Sequence, residues 1–154
     1  MDVSTDLNIS SLSLDSLSDA SFLLVNYIYS DHWKQEQFEE CLQKINQLLH
    51  FHGAELLIAW HKEKPCGFIA LNWGFSTTKG QPFLTIQDLF VLEKFRKNGV
   101  GKALIQKSID FAVKNRANRL QLNTGTDNKK ARRLYHSLGF EWFPNKEIYM
   151  FFLR

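Results

Sequence analysis

Two glycines, Gly99 and Gly101, stand one residue apart where an apolar run gives way to a helical pattern. Because glycine has no Cβ atom, the backbone there can turn sharply and approach a ligand closely. The first amides of the following helix have no partners inside it and, with the helix dipole, they favour an anion. Arg96 and Lys97 add positive charge beside the turn. The spacing therefore predicts a site for a phosphate-bearing ligand.

Two familiar phosphate-binding motifs do not fit this turn. A P-loop needs a glycine at position 96 and a hydroxyl side chain at position 103, where the chain has Arg96 and Ala103. A dinucleotide-binding fingerprint needs a third glycine at position 104, where the chain has Leu104. A tight helix start without any ligand stays open at this point.

A second candidate is the tyrosine of a helix predicted over 127–139. A phenol can act as a general acid when it is placed beside a leaving group. Helical spacing alone favours a core role for Tyr135, since Leu134 and Leu138 lie beside it. Spacing alone therefore favours packing over chemistry for this tyrosine.

The elements that would position these residues follow from hydrophobic periodicity and from turn residues. In chain order we predict strand 8–14, helix 20–29 after a Ser16–Asp19 capping box, helix 34–51, strands 54–61, 66–73 and 83–92, a helix from Gly99, strand 119–125, helix 127–139, and strands 140–143 and 147–153. The strand over 83–92 is almost continuously apolar, which is typical of a central strand. This order predicts a mixed α/β domain.

Both motifs have close counterparts in one family. Arg96-Lys-Asn-Gly99-Val-Gly101 resembles the Arg/Gln-x-x-Gly-x-Gly/Ala signature of the GNAT N-acetyltransferase superfamily. The segment from Asn128 to Phe140 resembles its Asn-x-x-Ala-x-x-x-Tyr-x-x-x-Gly-Phe segment. The loop at 75–82 and the next strand are similar to the diamine acetyltransferase branch, although Gln87 stands where that branch usually has Glu.

The resemblance implies the GNAT fold and its co-substrate, acetyl-coenzyme A (acetyl-CoA), with no metal. The fold has a central mixed, mostly antiparallel sheet of about seven strands, about four flanking helices, and a splay between the fourth and fifth strands. In that family the splayed strand pairs with the pantetheine arm and the glycine turn holds the pyrophosphate. The cofactor-binding residues so implied are Leu89, Phe90, Val91, Arg96, Lys97, Asn98, Gly99, Val100, Gly101, Lys102, Asn128 and Ala131, with Lys129, Lys130 and Arg132 near the 3′-phosphate.

The implied reaction is direct transfer of acetyl from the thioester to a primary amine. The amine has a pKa of about 10 in water, so it must lose a proton before it attacks. Tyr135 matches the position of the acid that protonates the departing thiolate. For the base, Gln87 cannot usefully accept a proton, and the neighbouring carboxylate is Asp88. Successive side chains of a regular strand face opposite sides, so Asp88 is expected on the other face, and a water relay held by Gln87 stays open.

The acceptor is less well defined by the residues. Candidates for binding it are Asp31, Trp33 and Glu36 at the first interhelix turn and Phe75 in the 75–82 loop. Acidic and aromatic groups together suit a cationic amine. A polyamine, a thialysine-like amino acid, another small amine and a peptide N-terminus all stay open. The diamine branch tends to dimerise, so the resemblance implies a homodimer.

Length and composition limit the number of domains and the classes of protein to which the chain could belong. The 154 residues suit one domain over 1–154, with residues 1–6 expected to be flexible. The net charge of +3 is too small to imply nucleic acid, and no run approaches the ~20 apolar residues of a membrane span. Two cysteines without a Cys-x-x-Cys motif favour a cytoplasmic protein. Two alternatives stay open: an acyl-CoA-binding module without turnover, which Gln87 favours, and a small basic nucleic-acid binder.

Overall fold

The computed structural model describes residues 6–153 of the chain. The flexibility expected for residues 1–6 falls almost wholly outside this range. The chain divides into two compact units, with the boundary between Asn123 and Thr124. None of the helices in residues 6–153 has the length and apolar character that crossing a bilayer demands.

The first unit is a five-stranded sheet with helices on both faces. Its elements are β1 (Leu7–Ser11), α1 (Leu17–Tyr29), α2 (Gln35–His50), β2 (Ala54–His61), β3 (Lys64–Ser76), β4 (Gln81–Val91), α3 (Val100–Lys114) and β5 (Leu120–Leu122). The strands lie in the order β1-β2-β3-β4-β5. Neighbours are antiparallel except β4 and β5, which are parallel. The mixed α/β class predicted from the sequence is therefore confirmed.

Strand alternation assigns the two faces of the sheet. Even-numbered residues of β3, such as Phe68 and Ala70, belong to a buried cluster with Ala20 and Leu23 of α1. Odd-numbered residues face α3, where Trp73 packs against Phe111 with ring centroids 5.8 Å apart. The helices α1 and α3 thus cover opposite faces of the same strand.

Close packing of α3 on the sheet fixes where that helix begins. A Cβ atom added at Gly67 would lie 2.8 Å from the Phe90 carbonyl oxygen and 3.4 Å from the side chains of Val100 and Leu104. Only glycine permits this approach, because any larger residue would overlap a backbone atom of β4. The first turn of α3, and with it the Gly99 turn, is therefore held against the end of β4.

The second unit contains α4 (Lys129–Ser137), and the strands predicted at 140–143 and 147–153 are wrong. Apolar composition suggested strands there, but a strand also needs a neighbour that accepts and donates its backbone hydrogen bonds. In the described residues no ladder reaches 140–153, and side chains such as Phe151 and Leu153 are 90% exposed. The sheet consequently has five strands rather than about seven.

Candidate active site

The glycine turn forms the predicted helix start. Gly99 has φ +81°, in the left-handed region that favours glycine, and it directly precedes α3. The Ala103 N–H donates to the Gly99 carbonyl at 3.0 Å. The amides of Val100, Gly101 and Lys102 therefore come before the first internal bond of the helix, where an anion can accept from them.

Two side chains brace this turn, and one of them also ties it to the end of β4. The Arg96 Nε donates to the Val91 carbonyl oxygen at 2.8 Å, and its guanidinium lies 5.8 Å from the centroid of the Phe90 ring. The Asn98 Nδ2 donates to the Arg96 carbonyl at 2.9 Å and to the Phe95 carbonyl at 3.3 Å. Both residues were expected to contact a cofactor, and in the structure their side chains order the turn itself.

One edge of β4 is open beside the turn. The short strand β5 pairs with β4 only at Leu84, Thr85 and Ile86. Among the described residues, no strand continues this pairing along 87–91. This is the splay between the fourth and fifth strands that the resemblance to the GNAT superfamily implies.

The backbone of β4 presents alternate residues to that edge. The Leu92 N–H donates to the Cys66 carbonyl at 2.9 Å, which makes them a hydrogen-bonded pair of the β3–β4 ladder. Such pairs alternate in an antiparallel ladder, so the backbone of Phe90 also faces β3. The N–H and C=O groups of Leu89 and the N–H of Val91 face the open edge instead, while the Val91 carbonyl accepts from Arg96.

A β-bulge interrupts β4 just before this edge. Asp88 lies opposite Ala70 and Ile86 lies opposite Leu71, so Gln87 is an extra residue with no partner on β3. A bulge of this kind interrupts the alternation of side chains. The expectation that Gln87 and Asp88 face opposite sides rests on a regular strand, and it is wrong here.

Two hydrogen bonds place both polar side chains on the α1 face. The Tyr27 hydroxyl of α1 donates to Asp88 Oδ1 at 2.9 Å. The Asn72 Nδ2, from an even-numbered position of β3, donates to Gln87 Oε1 at 3.2 Å. Sequence reasoning missed Tyr27 and Asn72. The available signal was that Tyr27 lies four residues after Leu23, on the helix face that packs on the sheet.

The surroundings of Tyr27 keep it a neutral phenol. Burial raises its pKa, and the hydrogen bond to Asp88 and the charge of that carboxylate raise it further. Its ring packs against Phe68 and Phe90, with centroids 5.7 Å and 5.3 Å away. Tyr27 is therefore a fixed donor to the Asp88 carboxylate at neutral pH.

The second unit carries the predicted acid. Tyr135 is half-buried on α4, its ring lies 5.8 Å from that of Phe140, and burial raises its pKa. The Asn128 side chain accepts from the Ala131 N–H at 3.2 Å and so caps α4. The Arg132 guanidinium lies 4.9 Å from the centroid of the Trp142 ring.

Comparison with known proteins decides the family. Residues 20–140 match the Acetyltransferase (GNAT) family. This chain belongs to the GNAT acetyltransferase family. The glycine turn, the splayed edge of β4 and the helix that carries Tyr135 are thus parts of a GNAT domain, as the resemblance of the two motifs indicated.

The proteins that resemble this GNAT chain carry names that refer to different substrates. An uncharacterized N-acetyltransferase of Methanocaldococcus jannaschii is 39% identical over 93 residues, which are 59% of this chain and only 39% of that relative. The thialysine N-epsilon-acetyltransferase of Bos taurus is 27% identical over 127 residues, 81% of this chain and 69% of that protein. The structure of AAC(6′)-Iy with the bisubstrate analogue CoA-S-monomethyl-acetylneamine has a TM-score of 0.76 at 19% identity, over 96% of this chain and 98% of that one. This last likeness shows the GNAT fold.

Of the four residues expected to bind an acceptor, one is packed between helices and three are exposed. Trp33 packs against Phe38 and Phe22, with ring centroids 6.0 Å and 6.3 Å away, so it contributes to the packing of α1 on α2. The other three side chains are exposed: Asp31, Glu36 and Phe75. In residues 6–153, no three side chains of His, Cys, Asp or Glu are grouped as ligands for a metal ion.

Proposed function

We propose that this chain is an acetyl-CoA-dependent N-acetyltransferase that transfers acetyl to a primary amine within a ternary complex. The observation that best supports this proposal is the continuity of two binding features. The open edge of β4, with the backbone groups of Leu89 and Val91, leads directly into the turn at Gly99 and the free amides of α3. A long ligand with amide groups at one end and phosphates at the other suits this path.

The residues along the path fit acetyl-CoA. The pantetheine arm is peptide-like, so it can add to the edge of β4 as a further strand would. A Cβ atom added at Gly101 would lie 3.8 Å from Val91 Cγ2, so the start of α3 lies close to the end of β4. The pyrophosphate would accept from the amides of Val100 to Lys102, with the exposed side chains of Lys97 and Lys102 adding positive charge.

The proposed chemistry needs one proton to be removed and one to be supplied. The amine nitrogen attacks the thioester carbon, the C–S bond breaks, and the products are an amide and coenzyme A thiol. Asp88, directly or through a water held by Gln87, would take the proton of the amine. Tyr135 would protonate the departing sulfur, and its raised pKa keeps that proton available at neutral pH. The Leu89 N–H, on the open edge, suits the oxyanion.

We propose a small cationic amine as the acceptor. Support comes from the Asp88 carboxylate on the α1 face and from the aromatic rings beside it, since both attract a positive charge. One relative is named for thialysine, a small amine of this kind. Likeness to the diamine branch also leads us to propose a homodimer, and the two unpaired cysteines lead us to propose a cytoplasmic location.

The test is thiol release from acetyl-CoA against a panel of amines. The panel holds spermidine, putrescine, thialysine, lysine, an aminoglycoside and short peptides, and the acetylated product is identified by mass spectrometry. We expect one cationic amine to drive release, and Tyr135→Phe to lower kcat by about 10²–10⁴-fold while acetyl-CoA binding persists. Tyr149→Phe is the matched control, since Tyr149 donates to Glu147 at an exposed position.

Each contrary result of this test has a distinct meaning. Binding of acetyl-CoA without release against any amine would favour the acyl-CoA-binding module. Release against peptides alone would replace the small-amine acceptor with a peptide N-terminus. Failure of acetyl-CoA to raise the melting temperature would contradict the cofactor assignment.

A further inference from the structure

One side chain outside the family motifs contacts the proposed base. Tyr27 lies on α1, 61 positions before Asp88 in the chain, and its hydroxyl donates to Asp88 Oδ1 at 2.9 Å. A carboxylate has two oxygens that accept hydrogen bonds. The bond from Tyr27 occupies one oxygen and leaves Oδ2 for another donor.

We propose that Tyr27 is a positioning residue that holds the Asp88 carboxylate on the α1 face of β4, so that its second oxygen receives the ammonium group of a cationic acceptor. This inference rests on the proposed acetyltransferase function and deepens it. Tyr27 takes no proton in the reaction and touches neither thioester nor amine. Its contribution is to select one orientation of the carboxylate.

The bulge explains why Asp88 needs such support. Gln87 has no backbone partner on β3 and Asp88 resumes the pairing opposite Ala70, so the bulge directly before Asp88 breaks the side-chain alternation of a regular strand. A side chain from another element can supply the missing constraint. The Tyr27 hydroxyl does so for Asp88, and the Asn72 amide does so for Gln87 on the same face.

The Tyr27 ring packs against the sheet on one side, although the residue as a whole is 42% exposed. It packs against Phe68 at 5.7 Å and against Phe90 at 5.3 Å, two rings that belong to adjacent strands. Preorganised polar groups lose little conformational entropy when a ligand binds, because their geometry is already set. A charge-assisted hydrogen bond from such a donor fixes both the orientation of the carboxylate and its distance from the donor.

The positioning role is separable from a packing role by substitution. Tyr27→Phe keeps the ring and removes only the hydroxyl, so a residue that acts by packing alone would show no change. We expect Tyr27→Phe to raise the KM for the cationic amine by about 10-fold, from the loss of one charge-assisted bond. The KM for acetyl-CoA and the melting temperature stay as in the wild type. Tyr29→Phe is the control, because side chains two residues apart on a helix do not face each other.

A double-mutant cycle tests whether the hydroxyl acts through the carboxylate. In an Asp88→Ala background the Tyr27 hydroxyl has no carboxylate to hold, so Tyr27→Phe should cause no further loss of kcat/KM for the amine. Every variant is first checked for acetyl-CoA binding and melting temperature, which separates misfolding from loss of positioning.

The outcomes distinguish this proposal from the function on which it rests. A wild-type chain that acetylates no amine overturns both. A wild-type chain that turns over while Tyr27→Phe keeps the same KM for the amine overturns the positioning role alone. Equal losses from Tyr27→Phe with and without Asp88 would also overturn it, because the hydroxyl would then act independently of that carboxylate.

Discussion

Asp88 and Gln87 show how one extra residue changes the chemistry of a strand. In a regular strand they would face opposite sides, and only one would reach the α1 face. The bulge brings both side chains to that face, where Tyr27 donates to one and Asn72 to the other. A carboxylate and an amide are thus adjacent, and the lack of glutamate at position 87 does not leave the face without a carboxylate.

The two cysteines give a prediction that also bears on the thiol-release assay. Cys41 and Cys66 are each 0% exposed, and burial raises the pKa of Cys66 from 9.0 to about 11. The thiolate is the reactive form, so we expect neither cysteine to react with a disulfide reagent at pH 8 while the chain is folded. Both should react in denaturant. Rapid labelling of the native chain would contradict this burial.

The same shift predicts how stability depends on pH. The unfolded Cys66 thiol ionises near pH 9, whereas the folded one keeps its proton up to about pH 11. Its contribution to stability is therefore complete below pH 9 and is lost as the pH rises toward 11. In urea titrations, Cys66→Ala should show a shallower fall of stability over this interval than the wild type. Cys41→Ala provides the comparison.

At the scale of elements, local pattern and tertiary pairing explain different parts of the structure. Strand β2 at 54–61 and the helix start at Gly99 follow from local signals and are confirmed. The bulge at Gln87 was not predictable, because it depends on the register with β3. The strands expected at 140–143 and 147–153 failed for a related reason: alternation describes a side-chain face, but it does not supply a hydrogen-bonding neighbour.

The two glycines of the turn should respond differently to alanine. Gly99 has φ +81° and no atom near an added Cβ, so Gly99→Ala costs backbone strain alone, about 1–2 kcal/mol of the free energy of unfolding. At Gly101 an added Cβ makes only an ordinary contact, 3.8 Å from Val91 Cγ2. We expect Gly101→Ala to leave stability unchanged or raise it by up to about 1 kcal/mol. Urea denaturation measures both, and equal destabilisation would contradict this difference.

Packing of α3 against β3 should be sensitive to one methyl group. At Gly67 an added Cβ would approach the Phe90 carbonyl oxygen to 2.8 Å, and backbone cannot move aside as a flexible side chain can. We expect Gly67→Ala to lower the free energy of unfolding by about 1–3 kcal/mol. Gly101→Ala is the matched control. A Gly67→Ala chain as stable as the wild type would show that β3 and β4 can move apart around Gly67 at little cost.

At the scale of the whole molecule, charge favours a small anionic ligand over a polymer. The net charge of +3 is modest, while the lysines at 97 and 102 lie beside the glycine turn. A nucleic-acid binder would lose affinity steeply with salt because counterions are released along the polymer. A coenzyme A thioester at a single site would instead stabilise the folded chain by an amount that rises with the logarithm of its concentration above Kd.

Calorimetric titration of acetyl-CoA into the wild type and Gly101→Asp tests the central claim most directly. We expect one site per chain, and a Kd raised by about 10-fold or more in Gly101→Asp, because its carboxylate would lie beside the amides of Val100 to Lys102 and repel the pyrophosphate. An acidic residue in the first turn favours the helix, so weaker binding would reflect the site itself. Gly101→Ala is the control, and it should bind as the wild type does because the family signature accepts alanine there. Absence of binding to the wild type, or equal affinity of the wild type and Gly101→Asp, would contradict the assignment of acetyl-CoA to this turn.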